Sequence, residues 1–309
     1  MKIFEKETFA KVDGCVLVFG NFDGVHIGHR HLMGKAKEYA SQHNLALGIY
    51  TFSDSPKFRN PEHSLLTDIE TRLSLIDCCC SPDFVYLERF DDVKELSPVQ
   101  FVDYIISFFD CKCTFCGENF SFGKGASGNS GDLVSLMKKR DGDAFTVESV
   151  KTDGIIVSSS YIKELLTNGN AEKAEELLGK AYGFTSKVVH GAHLGHSLGF
   201  PTINQVIPKA LIKPKYGVYS TVVIIDGRKY MGVTNFGVKP TVSNDSDSPV
   251  AETFIIDFDG DVYDRFVTVL FCKMLREERK FSSVDELKKN IRINVEQTKE
   301  FFSKKIKNN

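Results

Sequence analysis

The chain has no long hydrophobic run: nowhere in its 309 residues does an apolar stretch approach the ~18–20 residues of a membrane span. Its opening segment, MKIFEKETFAKVDG, has no apolar core of the kind a secretory leader needs, so a cytoplasmic location is expected. Charge of one sign is missing too. The 39 Lys and Arg against 41 Asp and Glu leave a net charge of −2 and a pI near 6.5. That balance argues against nucleic acid or an anionic membrane as a partner. There is no internal repeat and no low-complexity segment, and Lys304, Lys305 and Lys307 read as a solvated tail. The 8 cysteines follow no disulfide spacing, and Cys78, Cys79 and Cys80 are adjacent, which fits a reducing compartment. Cys113 and Cys116 have the C-x-x-C spacing of a zinc site, but no second Cys/His pair follows. The run also reads as a buried strand entering Gly117.

What is present is an ordinary globular composition, 42% hydrophobic and 26% charged, long enough for two domains. Strand-like runs at 16–20, 46–52, 84–88, 112–117 and 145–150 alternate with helical segments through the first half. Thr67-x-x-Glu70 and Ser97-Pro98-x-Gln100 read as helix starts. Such alternation predicts a parallel, doubly wound α/β sheet with ligands at the carboxyl ends of its strands. Two short helices follow over 158–182, broken at Asn168-Gly169-Asn170. Beyond Phe184 the pattern becomes all-β. Asp226-Gly227 and Asp259-Gly260-Asp261 suggest two hairpins, 217–236 and 254–272. A final helix opens at Ser283-x-x-Glu286, with Leu287, Ile291, Val295, Thr298 and Phe302 as its inward stripe. The expected division is residues 1–183 and 184–309.

The sharpest motif is Val18–His29, VFGNFDGVHIGH, where a strand hands over to a helix. His26 and His29 stand three residues apart at the helix opening, on one side of it. Free N–H groups and the positive end of the helix dipole favour anions there. Gly28 between them lets backbone approach closely, and Asn21 and Asp23 line the turn. Asp23 could equally serve only to stabilise the turn. Two surface histidines, or half of a metal site, are the alternative readings of the pair. The usual helical metal pair, however, is spaced i, i+4.

Three further segments carry chemistry. Gly117–Gly125 is glycine-rich, closes a predicted strand, and offers Asn119 with Phe120 and Phe122. Ser158-Ser159-Ser160-x-Ile162-Lys163 puts hydroxyls and a cation before a helix, suiting a triphosphate or simply capping that helix. Gly191-x-x-x-Gly195-x-x-x-Gly199-Phe200-Pro201-Thr202-x-Asn204 combines phosphate-wrapping glycines with a hydroxyl and an amide that point the same way on a strand. Those are hard oxygen ligands appropriate to Mg²⁺ carried by ATP. Glu252, embedded in an apolar strand, is a candidate base or an ordinary exposed strand glutamate.

The G-N-F-D-G-V-H-x-G-H string resembles the FAD synthetase branch of the nucleotidyltransferases, and G-F-P-T-x-N resembles the riboflavin kinase signature. In this order the motifs are similar to those of bacterial bifunctional riboflavin kinase/FAD synthetases, from about Val16 to Phe302. The resemblance implies a Rossmann-like nucleotidyltransferase domain followed by a small β-barrel riboflavin kinase domain with a C-terminal helix. It implies that riboflavin and ATP give FMN, and that FMN and ATP then give FAD and pyrophosphate. By the same resemblance, His26, His29, Asn21, Asp23, Gly28, Asn119, Ser159 and Lys163 handle phosphates in adenylyl transfer. Gly191, Gly195, Gly199 and Pro201 bind ATP in the kinase, Thr202 and Asn204 hold Mg²⁺, and Glu252 is the base. The expected partners are riboflavin, FMN and ATP, with no nucleic acid and no membrane, and the chain is expected to be a monomer or weak oligomer. Asn235–Thr241 also resembles a family segment near the nucleotide. The chain departs from the family pattern at Lys163 (usually arginine), at Ser55 (commonly histidine) and at His196 (often arginine). A chain with weakened FAD synthesis, or a silent flavin-binding regulator, is the rival expectation.

Overall fold

A computed structural model describes residues 1–10, 12–54, 64–190, 199–238 and 249–307. The chain divides into two compact units, Met1–Ser159 and Ser160–Asn309. The sequence pattern changes later, near residue 183, where the first barrel strand has just begun.

Unit 1 is built on six parallel strands: β1 (Lys2–Phe4), β2 (Cys15–Phe19), β3 (Ala46–Phe52), β4 (Phe84–Glu88), β5 (Cys111–Gly117) and β6 (Asp143–Val147). They lie in the order β1-β4-β3-β2-β5-β6. All five residues of β2 are buried, which follows from burial on both faces. Val16 and Val18 pack with Leu32, Met33 and Ala36 of helix α1 (Ile27–His43) and Ile76 of α2 (Ile69–Cys80). Cys15, Leu17 and Phe19 face the opposite way. They meet Phe101, Val102, Ile105 and Phe109 of α3 (Pro98–Phe109) and Leu133 and Met137 of α4 (Ser130–Lys138). The same alternation settles the C-x-x-C question. Cys113 belongs to one core layer and Cys116 to the other, because residues three apart on a strand face opposite sides. No cluster of three or more His, Cys, Asp or Glu able to hold a metal occurs among the described residues.

Two helix starts behave differently. Ser97 caps α3 as expected, with Gln100 returning the bond and Pro98 in the first turn. The cap of α2 is Asp68, whose carboxylate accepts from the Thr71 N–H at 2.7 Å; Thr67 is not the cap. Thr67 instead bonds Gly24 and Asp23 of the turn after β2. Strand β1 was not foreseen in the sequence. It adds to the sheet edge by pairing with β4, a contact with no local signal in three residues.

In unit 2, helices α5 (Ser159–Thr167, starting at the unit boundary) and α6 (Ala171–Leu178) precede six antiparallel strands. These are β7 (Tyr182–Val189), β8 (Thr202–Val206), β9 (Gly217–Ile225), β10 (Arg228–Val238), β11 (Pro249–Ile255) and β12 (Phe266–Arg276). They close into a barrel in the order β7-β8-β11-β10-β9-β12. The hairpin at Asp226-Gly227 is present, with Ile225 opposite Arg228 and Asp226 in the left-handed region. The second expected hairpin is not. Strand β11 lies between β8 and β10, whereas β12 closes the barrel between β9 and β7. In a closed barrel each strand has two neighbours, and both neighbours of β11 are other strands. The 256–265 connection therefore crosses the barrel end. Helix α7 (Val284–Lys307) covers the outside of β9 and β10 through Val295 and Ile291, and Thr298 bonds Ser220 at 2.8 Å.

Candidate active sites

The unit 1 site forms where the strand order reverses. From β2 the chain winds one way through β3 and β4, and β5 lies on the other side of β2. A crevice therefore opens at the carboxyl ends of β2 and β5. A cavity of about 620 Å³ occupies it, lined among others by Asn21, His29, Asn119, Phe120, Phe122 and Tyr50. The structure thus brings together the N-F-D-G-V-H turn and the glycine-rich loop, which are far apart in sequence. That loop is pinned rather than slack. Lys124 N–H donates to Leu96 O at 2.7 Å, and Gly123 has φ +75° with the Pro98 ring where a Cβ would sit. Phe19, Phe120 and Phe122 form a near-parallel series along the wall, with centroids 5.2 and 5.6 Å apart.

The histidines meet as the motif implies. Their rings stack at 3.7 Å with 18° between planes, and His29 also meets the Phe22 ring edge-on. His26 caps α1, its Nδ1 accepting from the His29 N–H at 3.4 Å. That bond leaves the ring proton of a neutral His26 on Nε2. Burial holds His26 down to about 4, and burial together with His26 holds His29 well below its ordinary value. Both are therefore neutral at pH 7. The Nδ1 of His29 is buried without a hydrogen-bond partner. Gly28 leaves room for that packing: a Cβ would lie 3.2 Å from two atoms of the His26 ring, which would have to shift by a few tenths of an ångström.

The turn itself is strained. Phe22 has φ 52° and Val25 φ 44°, left-handed values that a β-branched residue rarely adopts. Asp23 holds it from inside, its Oδ1 accepting from the N–H groups of Leu66 and Thr67 at 2.8 and 3.1 Å. Gly24 N–H donates to Thr67 Oγ1, and Ser159 Oγ donates to Asp23 O at 2.9 Å. Asp23 is buried and does not line the cavity. Lys163 is half-buried on α5.

Two groups escaped the sequence reading. Arg72 is 3% exposed and bridges Asn21 O and Phe52 O, 2.9 Å from each. Its only sequence signal was a cation on the apolar face of a helix, in line with Ile69 and Ile76. Glu88, buried at the end of β4, accepts from the hydroxyls of Tyr50 and Tyr104 at 2.8 and 3.0 Å. Burial raises its carboxyl, and the two tyrosine hydroxyls counter that in part.

On the barrel, register puts Asn204, Glu252 and Asn235 side by side on β8, β11 and β10. Residues paired this way share a face, and Thr202, two along from Asn204, shares it too. Thr202 Oγ1 donates to Glu252 Oε1 at 3.0 Å. Asn204 is buried and Thr202 and Glu252 half-buried. Hydroxyl, amide and carboxylate oxygens therefore converge, a donor set that suits a hard divalent cation such as Mg²⁺. Gly199 sits at φ +80° just before Pro201 and the strand. Gly191 and Gly195 lie outside the described residues, as do Ser55, His196, Lys239, Pro240 and Thr241.

A cavity at the switch point beside a stacked histidine pair in one unit, and a carboxylate among hydroxyl and amide oxygens in the other, suit a nucleotide-dependent transferase with two sites. Comparison with known proteins narrows this: residues 9–161 match the FAD synthetase family and residues 178–302 the riboflavin kinase family. The chain belongs to the bifunctional riboflavin kinase/FMN adenylyltransferase family. It is 33% identical to the Bacillus subtilis member over 306 residues, covering 96% of this chain and 95% of that protein. The Escherichia coli K12 member is 33% identical, with 95% and 94% covered. The Pseudomonas fluorescens member is 34% identical, with 91% of each covered. A solved structure described as a macrolide-efflux protein from Streptococcus pneumoniae has the same fold, with TM-score 0.88 and 27% identity over 97% of this chain and 99% of that one. Among the described residues of this chain, no helix is long and apolar enough to cross a membrane.

Proposed function

We propose how the residues of this bifunctional riboflavin kinase and FMN adenylyltransferase divide the two reactions. In unit 1, a phosphate oxygen of FMN attacks the α-phosphorus of ATP, and pyrophosphate leaves. No covalent nucleophile is needed; the work is positioning and charge stabilisation. His26 and His29 hold the ATP phosphates, Gly28 allows their close packing, and Asn21 and Asn119 orient the nucleotide from opposite walls. Ser159 and, four residues on in the same helix, Lys163 are assigned to the same phosphates. Asp23 acts through the backbone, keeping the turn in shape. The Phe19–Phe120–Phe122 wall offers a flat apolar surface for the flavin ring. The observation that carries this reading is the stacked histidine pair at the switch point, of which His29 lines the cavity.

In unit 2, Glu252 accepts the proton of the riboflavin 5′-hydroxyl as its oxygen attacks the γ-phosphorus of ATP, releasing ADP. Thr202 and Asn204 would hold Mg²⁺, which when bound neutralises phosphate charge. Gly199 and Pro201 are assigned to ATP binding, as are Gly191 and Gly195, which lie outside the described residues. The Thr202–Glu252 bond carries this reading, because it sets a carboxylate beside the oxygen ligands. We place the enzyme in the cytoplasm as a monomer or weak oligomer acting on riboflavin, FMN and ATP, without nucleic-acid or membrane partners. The 8 free cysteines fit a reducing compartment.

The test is product analysis by chromatography with riboflavin, ATP and Mg²⁺. FMN followed by FAD is expected. FMN alone would leave the kinase reading and remove that of unit 1. No product from either flavin would overturn both assignments.

A further inference from the structure

Arg72 stands where an apolar residue would be expected, and burying a guanidinium is costly unless its geometry is put to use. Here both terminal nitrogens of the planar fork are used: Nη1 donates to the carbonyl that follows β2, and Nη2 to the carbonyl that ends β3. Both of those residues, Asn21 and Phe52, line the cavity. Burial lowers the guanidinium to about 10, and the neighbouring Asp23 carboxylate partly offsets that, so Arg72 stays charged at neutral pH.

The turn it grips needs holding. Phe22 and Val25 are left-handed, and such strain persists only where the surroundings over-determine it. Ser159 Oγ donates to Asp23 O at 2.9 Å and Thr51 Oγ1 to Asn21 O at 3.5 Å, and further side-chain restraints on the turn come from residues 66–72 or meet them. Leu66 and Thr67 N–H groups bind Asp23, Thr67 Oγ1 accepts from Gly24, and Arg72 binds Asn21. Thr51 on β3 reaches Asn21 O only at 3.5 Å, whereas Arg72 joins the turn to the end of β3 through two bonds of 2.9 Å. Lysine offers a point charge without the fork, and so cannot span two carbonyls in the same way.

We propose that Arg72 is a positioning residue for adenylyl transfer, fixing the turn that carries His26 and His29 by joining the ends of β2 and β3. The inference rests on the reading of unit 1 given above, and it touches substrate through no atom of Arg72 itself. FAD formation from FMN and ATP by the unaltered full chain tests that reading separately.

The experiment compares steady-state FMN adenylylation and riboflavin phosphorylation in the full chain with Arg72→Met and Arg72→Lys. A misplacement of about 1 Å at a site of this kind costs on the order of 100-fold in rate. We expect Arg72→Met to lose about 100-fold in kcat/KM for adenylylation, shared between a lower kcat and a raised KM for ATP. Arg72→Lys should recover part of it, and riboflavin phosphorylation should stay within about twofold of the unaltered chain. A purely structural role would lower kcat in proportion to the folded fraction while leaving the KM for ATP unchanged, and that result would overturn the proposal. So would adenylylation equal to the unaltered chain in both variants. Should Arg72→Met fail to fold, Arg72→Lys, which keeps charge and most of the volume, decides by the same KM criterion.

Discussion

The Thr202 hydroxyl donates to Glu252 Oε1 across 3.0 Å, joining strands β8 and β11 on the outer face of the barrel. On the assignment proposed above, that carboxylate exchanges this donor for the substrate hydroxyl. Replacing it by glutamine keeps size and one acceptor but removes the base. Glu252→Gln should lower FMN formation by about 10²–10⁴-fold. Adenylylation of supplied FMN should continue at nearly the unaltered rate, because it is performed in the other unit. Parallel assays with riboflavin and with FMN check this; loss of both activities in a folded protein would sink the two-site assignment.

His29→Ala should have the reverse effect. It removes a ring that stacks on His26 at 3.7 Å and ends with a buried, unpartnered Nδ1. Loss of one preorganised donor to a phosphate costs on the order of 10²–10³-fold. FAD formation should fall by that much with riboflavin phosphorylation unaffected, as the same pair of assays would show.

Gly28→Ala separates activity from stability. Alanine is the better helix former, by up to about 1 kcal/mol in a helix interior. The new Cβ would press to 3.2 Å on His26 Cε1 and Nδ1, so the ring must shift by a few tenths of an ångström. The variant should melt no lower than the parent yet adenylylate FMN about tenfold more slowly. Equal activity would show that the ring's position is not critical.

Acid should weaken unit 1 through the histidines. His26 is held to about 4 in the folded protein by burial, against an ordinary value of 6.5. Its folded value is depressed, so the unfolded chain takes up the proton first. This contribution is complete above about pH 6.5 and is lost as pH falls toward about 4. At ~1.4 kcal/mol per unit it amounts to about 3 kcal/mol at most. His29 shifts in the same direction. Melting of His26→Gln at pH 7 and pH 5 should show a smaller drop than the parent; an equal drop would place the acid sensitivity elsewhere.

Much of this was legible locally. The buried run Cys15–Phe19 and the Asn21–Gly24 turn announce a two-sided strand entering an anion-receptive helix start, and the structure keeps that order. The cysteines of β5 read equally as core or as metal ligands. Only the strand's alternation, placing Cys113 and Cys116 on opposite faces, decided between them. Arg72 and Glu88 were passed over because a charged residue on a helix or at a strand end is ordinarily solvated. Their burial depends on what packs above them.

The sequence by itself determined the element types, the histidine pair with its intervening glycine, and the Thr202/Asn204 spacing, since each depends on neighbours within a turn or a strand pitch. Tertiary structure decided the rest. Strand order set Asn119 across the crevice from Asn21, and closure of the barrel put β11 between β8 and β10. That pairing carries Glu252 to Asn204 and Asn235. Which strands become neighbours is fixed by burial of both sheet faces and by closure of the barrel's hydrogen bonds, conditions satisfied by the whole chain at once.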